Sequence, residues 1–334
     1  MRTKENIKVS VIVITYNQET TIAQTLDSVL NQECDFSYEV IVSDDCSDDR
    51  TGEICRDYAT RFPDVIRLFS NDVNKGVLRN YYDSVLKARG EYICDLAGDD
   101  FWVDKGKLQK QSELLDKDKD IVMVHTDWRN YYPENKSIQS PWKNGGYPYP
   151  ENAGAGEITS LILSHFNPTP IVLSTAMYRK DLFISIYDKY TDFFTNPEYL
   201  MEDLQLTTLL STKGKIVYMN FVSLYYRIST SSISGTKDHG KLFDFYFSSV
   251  LLTSRLEKIL GIPHKKLLPF YRKFGHYLLM QAFYTGDSFR KDKIREAFRN
   301  WNVPKPLKSQ FILCLSSDKT IWKLGRQFLQ FLRN

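Results

Sequence analysis

Apolar residues recur along this chain in two alternating rhythms. Short β-branched runs, such as Val-Ser-Val-Ile-Val-Ile-Thr at 9–15, are nearly continuous and suit strands buried on both faces. Between them, apolar positions return every three or four residues, as Ile22, Leu26, Val29 and Leu30 do within 20–31, which predicts a helix with one buried face. The same pair of patterns repeats as a strand at 38–43, a helix at 51–62 carrying Ile54, Tyr58 and Ala59, and a strand at 65–69. A helix at 77–88 and a strand at 92–94 follow. Strand–helix alternation of this kind marks an α/β sheet with parallel strands. Further strands are predicted at 121–125, 215–218 and 224–227, a helix at 158–166, and an extended stretch at 167–179 that rejoins the sheet. His125 is expected to be an ordinary strand residue. From Lys237 the rhythm is helical with aromatic faces, at 243–260, 269–284, 291–299 and 320–333. The chain therefore divides into 1–236 and 237–334.

Sheets of this class bind ligands at the carboxyl ends of their strands. Three polar clusters stand at such ends: Thr15-Tyr16-Asn17, Asp44-Asp45 and Asp99-Asp100. Adjacent carboxylates repel, and a divalent cation with oxygen ligands holds both ionised. Asp is equally a preferred helix N-cap, so for Asp99-Asp100 both readings stay open on these residues alone. Asp44-Asp45 suits a turn that closes its strand just as well. Neither GxGxxG nor GxxxxGK[ST] occurs, which leaves a nucleotide to be held by carboxylates, backbone and metal. A second acidic pair, Glu202-Asp203, opens a helix, where the helix dipole also favours it.

Four segments in order carry a resemblance. They are the strand ending Thr-Tyr-Asn at 8–17, Val-Ile-Val-x-Asp-Asp-x-Ser-x-Asp-x-Thr within 38–51, Asn-x-Gly-x-x-x-Asn at 74–80, and Gly-Glu-Tyr-Ile…Asp-Asp-x-Trp at 90–102. Together they resemble the family 2 glycosyltransferases. The resemblance implies a GT-A type, Rossmann-like mixed sheet sandwiched by helices, here with a C-terminal helical appendage. It also implies an inverting transferase that moves a sugar from a UDP-linked donor to a glycan or lipid-linked acceptor, in cell-surface polysaccharide assembly. Residue by residue, Asp45 matches the aspartate that contacts uracil, and Thr15, Tyr16 and Asn17 line the nucleotide. Lys75 is placed to offset diphosphate charge. Asp99 matches the metal-binding aspartate for Mg²⁺ or Mn²⁺, with Asp100 beside it. Asp203, with Glu202, matches the general base. Two positions depart from the pattern: Ala97 stands where a further aspartate is usual, and Ser229 where a histidine is. These departures are the support for an alternative, a non-catalytic sugar-nucleotide or glycan-binding protein on the same fold.

Composition narrows the setting. The 334 residues are 42% hydrophobic and 25% charged, enough for one large domain with an appendage. Five cysteines form no CxxC pair, so neither a disulfide framework nor a structural zinc site is expected. The N-terminus lacks a signal-peptide core, and no run approaches about 20 apolar residues. The expected location is cytoplasmic, peripheral on the inner face of a membrane at most. The net charge of +3 conceals an acidic body and a tail, from Lys265 to the last residue given, carrying +11. Within 320–333, Ile321, Leu324, Phe328 and Leu332 form a stripe widened by Trp322, Leu329 and Phe331, with Lys323, Arg326 and Arg333 off it. This helix suits a membrane surface or docking on the catalytic domain. No nucleic-acid-binding motif accompanies the charge. The stretch 131–156 has no clear period; the resemblance implies that it is an acceptor-side loop, where Trp142, Tyr147 and Tyr149 could stack on a sugar.

Overall fold

The computed structural model describes residues 6–142, 146–164, 169–229, 236–304, 306–316 and 319–331. The chain forms two compact units, Met1–Ile228 and Ser229–Asn334. The first begins with β1 (Val9–Thr15), α1 (Ile22–Leu30), β2 (Tyr38–Asp44), α2 (Thr51–Arg61), β3 (Ile66–Ser70) and α3 (Gly76–Val85). It continues through β4 (Tyr92–Ala97), β5 (Phe101–Trp102), α4 (Lys107–Lys117), β6 (Ile121–Tyr132), β7 (Ser137–Gln139) and β8 (Asn152–Ala153). It closes with α5 (Thr159–Leu163), β9 (Met177–Arg179), α6 (Lys180–Lys189), α7 (Thr191–Thr195), α8 (Asp203–Ser211) and β10 (Lys215–Arg227).

The strands form one mixed sheet in the order β3-β2-β1-β4-β9-β6-β10-β5, with β7 on β6 and β8 on β10. The strands from β3 to β4 run parallel, as their continuous apolar runs require. β9 then pairs antiparallel with both β4 and β6. Val9, Val11, Val13, Val40, Val42, Cys94 and Leu96 point to one face and pack on Ile22, Leu26 and Val29 of α1, Cys55 and Tyr58 of α2, and Leu108 and Leu115 of α4. The alternate residues Ile12, Ile41 and Ile93 are equally buried on the other face, the side covered by α3 through Leu78, Tyr81, Tyr82 and Val85. Each such side chain contributes roughly 1.5–3 kcal/mol. Both faces being covered leaves the strand ends as the place where polar groups meet solvent.

Two expectations change. The two strands at 215–218 and 224–227 are one, β10, because its register shifts between Met219 and Leu224 let it bend without breaking. Of the extended stretch at 167–179, Asn167 and Pro168 lie outside the described residues. Only Met177–Arg179 joins the sheet, after a 3₁₀ turn at Leu173–Thr175. Trp142, Tyr147 and Tyr149 pack on one another and on the sheet. Trp142 is buried edge-on against Trp128 at 4.8 Å, and its indole Nε1 donates to Asp127 Oδ1 at 2.7 Å. Tyr147 stacks on Tyr218 with ring centroids 3.9 Å apart, and Tyr149 packs edge-on against Tyr147. These rings stabilise by packing on side chains that β6 and β10 present, Trp128 and Tyr218. His125 lies beneath them, its Nε2 3.3 Å from the Tyr147 hydroxyl, and burial pushes it down to about 3. It is a neutral strand residue.

The second unit consists of α9 (His239–Leu260), α10 (His264–Thr285), α11 (Ser288–Asn300), α12 (Leu307–Leu315) and α13 (Lys319–Phe331). α10 touches each of the other four. Asp238 and Asp287 cap α9 and α11 by accepting from the backbone N–H groups of Gly240 and Lys241, and of Phe289 and Arg290. α12 is absent from the sequence reading, where Pro304 and Pro306 look like breakers. Pro306 instead stands at the helix start, where a missing N–H costs nothing. On α13, Trp322 is buried and donates to the Phe283 carbonyl at 3.0 Å, while Ile321 and Leu324 stay exposed. The helix thus docks on α10 through a residue assigned to its apolar stripe. Phe328, Leu329, Phe331, Leu332, Arg326 and Arg333 lie outside the described side chains. Among the described residues no helix is long and apolar enough to cross a membrane.

Candidate active site

Asp99 and Asp100 do not cap a helix. α4 begins only at Lys107 with Gly106 as its cap, so the acidic pair lies in a tight turn between β4 and β5. The turn is tied down from three sides. Gly98 N donates to the Ile14 carbonyl at 3.0 Å, Thr21 Oγ1 and Thr25 Oγ1 donate to the Gly98 carbonyl, and Thr25 Oγ1 also reaches the Asp100 carbonyl at 2.7 Å. A Cβ at Gly98 would fall 2.9 Å from Thr15 Cβ, closer than real Cβ atoms come, so glycine lets the turn sit this close to the end of β1. From the far strand, Arg227 N donates to Asp100 Oδ1 at 2.7 Å and Arg227 Nε to the Asp99 carbonyl at 2.6 Å.

Burial drives both carboxyls up from their ordinary range, the Asp99 charge pushes Asp100 further, and Arg227 pulls both back. Asp100 Oδ2 is buried with no hydrogen-bond partner. Two such carboxyls with an orphaned oxygen fit a hard cation that completes its shell from phosphate oxygens and water. Among the described residues no group of three or more His, Cys, Asp or Glu is placed to hold a metal.

The other two strand-end clusters gather along the same edge. Thr15 Oγ1 donates to Gln18 Oε1 at 2.7 Å, and Gln18 N donates to Thr51 Oγ1 at 2.7 Å. Asn17 adopts φ 52 and accepts from Asp48 N through its side chain, which leaves the Tyr16 ring 44% exposed at the rim. Asp44 Oδ1 accepts from the Ser47 hydroxyl at 2.5 Å. Asp45 is buried and largely occupied: Oδ1 accepts from Asn71 Nδ2 and Lys75 N, and Oδ2 from Gly76 N, each at 2.9 Å. It therefore closes the 71–76 loop, with lone-pair capacity left for one further donor. The side chain of Lys75 lies 3.5 Å from Asp83 Oδ2 on α3, so its charge is shared locally.

The second acidic pair opens α8. Glu202 makes no side-chain capping bond; what holds it is its backbone carbonyl, which accepts from the buried Tyr82 hydroxyl. Burial raises both carboxyls. For Glu202 the Asp203 charge comes next, and the fields of Asp95 and Asp99 add to it, taking Glu202 up to about 8. The pair is thus within electrostatic reach of the Asp99 turn, although more than a hundred residues separate them in the chain.

Two participants escape the sequence reading. Arg227 closes a predicted strand, but nothing local says that it meets Asp99 and Asp100. Asp95 sits inside the strand run between Cys94 and Leu96, where a lone charge in an apolar strand was the available signal. It is buried, accepts from the Tyr81 hydroxyl, and leaves Oδ2 without a partner. Burial, with the Asp203 charge added, pushes Asp95 up to about 8 against the pull of Tyr81 and Lys107. The folded chain therefore keeps a proton on Asp95 that the unfolded chain releases near pH 4. Since the folded state binds more protons across that interval, stability falls as pH rises from about 4 to about 8. Asp95→Asn should flatten this decline in melting temperature between pH 5 and 8. An unchanged slope would remove Asp95 as its source.

With this edge assembled, comparison with known proteins becomes informative. The model described as Glycosyl transferase family 2 matches residues 10–186, more than half of the chain. The chain belongs to glycosyl transferase family 2. Its fold is the GT-A fold: the crystal structure of S. aureus TarS 1–349 in complex with UDP-GlcNAc superposes with TM-score 0.63 at 20% identity, covering 96% of this chain and 92% of that one. WfaP of Escherichia coli, named as a UDP-Glc:α-D-GlcNAc-diphosphoundecaprenol β-1,3-glucosyltransferase, is 27% identical over 266 residues, 79% of this chain and 91% of WfaP. Rv1520 of Mycobacterium tuberculosis, uncharacterized, is 38% identical over 125 residues. That match covers 37% of this chain and spans only 36% of Rv1520.

Proposed function

We propose that this glycosyltransferase transfers a sugar from a UDP-linked donor to a hydroxyl of a lipid-linked or glycan acceptor, with inversion, in cell-surface polysaccharide assembly. The observation that carries this reading is the electrostatic proximity of two acidic pairs, Asp99-Asp100 and Glu202-Asp203, of which Asp100 is buried and the other three are half-buried. The donor class is supported by the UDP-GlcNAc complex of TarS, and the acceptor class by the name of WfaP. The Tyr16 ring and the free capacity of Asp45 suit the uracil, while Thr15 and Asn17 shape the adjoining rim. Lys75, at the start of α3, adds positive charge beside them.

Mg²⁺ or Mn²⁺, held by Asp99 with Asp100, would supply charge neutralisation for the departing diphosphate. The acid pair provides the base. Within a coupled pair one group keeps the shared proton while the other ionises first. Burial raises both carboxyls and their mutual repulsion disfavours ionising the two together, so the pair carries one charge more readily than two. Asp203 then accepts the proton of the acceptor hydroxyl as its oxygen attacks the anomeric carbon from the face opposite UDP. A single displacement of this kind inverts that carbon.

The test is a panel of nucleotide sugars assayed for UDP release with Mn²⁺ and candidate acceptors, the product anomer being read by NMR. One UDP-sugar should be turned over to a product of inverted configuration. Retention would overturn the direct displacement. Tight UDP binding with no turnover of any donor would favour the non-catalytic binding protein that Ala97 and Ser229 allow.

A further inference from the structure

The turn that carries Asp99 and Asp100 has a cation built into it. Arg227, at the end of β10, is 9% exposed. Its backbone N–H holds Asp100 Oδ1, its Nε holds the Asp99 carbonyl, and its Nη2 donates to Gln24 Oε1 at 2.7 Å. The guanidinium lies over the rings of Phe101 and Tyr131, at 5.5 and 5.2 Å from their centroids. Those rings pack edge-to-face on each other, so the plane of the guanidinium is set by its surroundings. A guanidinium fixed by two hydrogen bonds and two aromatic faces does not swing away when a ligand arrives. It is a permanent charge of the site.

That charge has two consequences of opposite sign. The turn holds two carboxylates against one guanidinium, and Ala97 contributes no third. A divalent cation alone therefore meets about half the negative charge that the acidic pair suggests. A diphosphate arriving at the same turn meets positive charge already in place, in a poorly solvated setting where Coulombic terms are large. We propose that Arg227 is the resident counter-charge for the donor diphosphate, lowering the affinity of the site for a free divalent cation and letting nucleotide bind before a metal is present. This rests on the transferase reading, since it assigns the turn to the diphosphate. The groups on the turn are then shared: Asp99 and Asp100 answer to the metal, and Arg227 answers to the nucleotide.

The experiment titrates three ligands onto the full chain: UDP in EDTA, UDP with Mn²⁺, and Mn²⁺ alone, the last followed by the electron paramagnetic resonance of free Mn²⁺. Wild-type protein should bind UDP measurably in EDTA. Arg227→Met should weaken UDP in EDTA by about tenfold or more, the worth of a lost charge-assisted interaction. The same variant should bind Mn²⁺ alone more tightly than wild type. Arg227→Lys, which keeps the charge, should retain UDP binding in EDTA closer to wild type than the Met variant. Loss of a merely structural clamp would weaken both ligands together, so affinities that move in the same direction, or not at all, overturn the inference. The wild-type titration stands even if the Met variant does not fold. UDP binding that strictly requires Mn²⁺ overturns the role of Arg227 and leaves the proposed transferase intact, whereas no UDP binding under any condition overturns both.

Discussion

Asp203→Asn is expected to lower turnover by about 10²–10⁴, the range typical of losing a positioned general base, while UDP affinity stays at the wild-type level. The amide is nearly isosteric, so the start of α8 should keep its anchor, which is the Glu202 carbonyl on Tyr82 and not the Asp203 side chain. Thr207 Oγ1 also bonds the backbone carbonyl of Asp203, at 2.7 Å, and is untouched by the change. The variant should fold and bind donor but fail to accept the proton. Single-turnover kinetics beside a UDP titration separate these effects: UDP binding weakened in step with turnover would make Asp203 a structural residue. Glu202→Gln should be the milder change, because Asp203 and not Glu202 is the proposed base.

Asp99→Ala is expected to abolish Mn²⁺-stimulated hydrolysis of the UDP-sugar. Outer-shell partners of metals typically cost about 10–100-fold when removed, and a direct ligand costs at least that. The backbone carbonyl of Asp99, which binds Arg227, survives the substitution, so the turn should keep its shape. UDP affinity measured with Mn²⁺ should drop to the value found in EDTA. Full activity in this variant would show that the cation, if one is used, is held elsewhere. Asp100 is the less informative position, since its Oδ1 is committed to Arg227 and its loss would disturb the strand end as well.

How much of this was legible before folding differs from residue to residue. The strands at Val9–Thr15 and Tyr38–Asp44 were legible because a strand buried on both faces must be apolar throughout, which is a local property. The three polar clusters at the strand ends were legible for the same reason, since the runs simply stop there. Asp95 was passed over because its neighbours Cys94 and Leu96 keep the run apolar, and only Tyr81 explains how a carboxyl is tolerated in it. Trp142 and Tyr147 looked like sugar-stacking residues because an aromatic loop without period offers no local clue to what it covers. Their partners, Asp127, Trp128 and Tyr218, lie on strands brought beneath the loop only by the sheet order β9-β6-β10.

The acidic turn shows the division most clearly. Sequence alone determined that two carboxylates follow the fourth strand, that Ala97 stands before them, and that a helix-forming pattern begins soon after. It left open whether they cap that helix. The tertiary structure decided against capping, because α4 starts at Lys107 and the turn is instead held by Thr25, Ile14 and Arg227. Arg227 lies 127 residues from Asp100, and no periodicity reaches that far. Periodicity reports which face of an element is buried. The contacts that set charge within a site depend on which strands become neighbours, and that is chosen by the sheet as a whole.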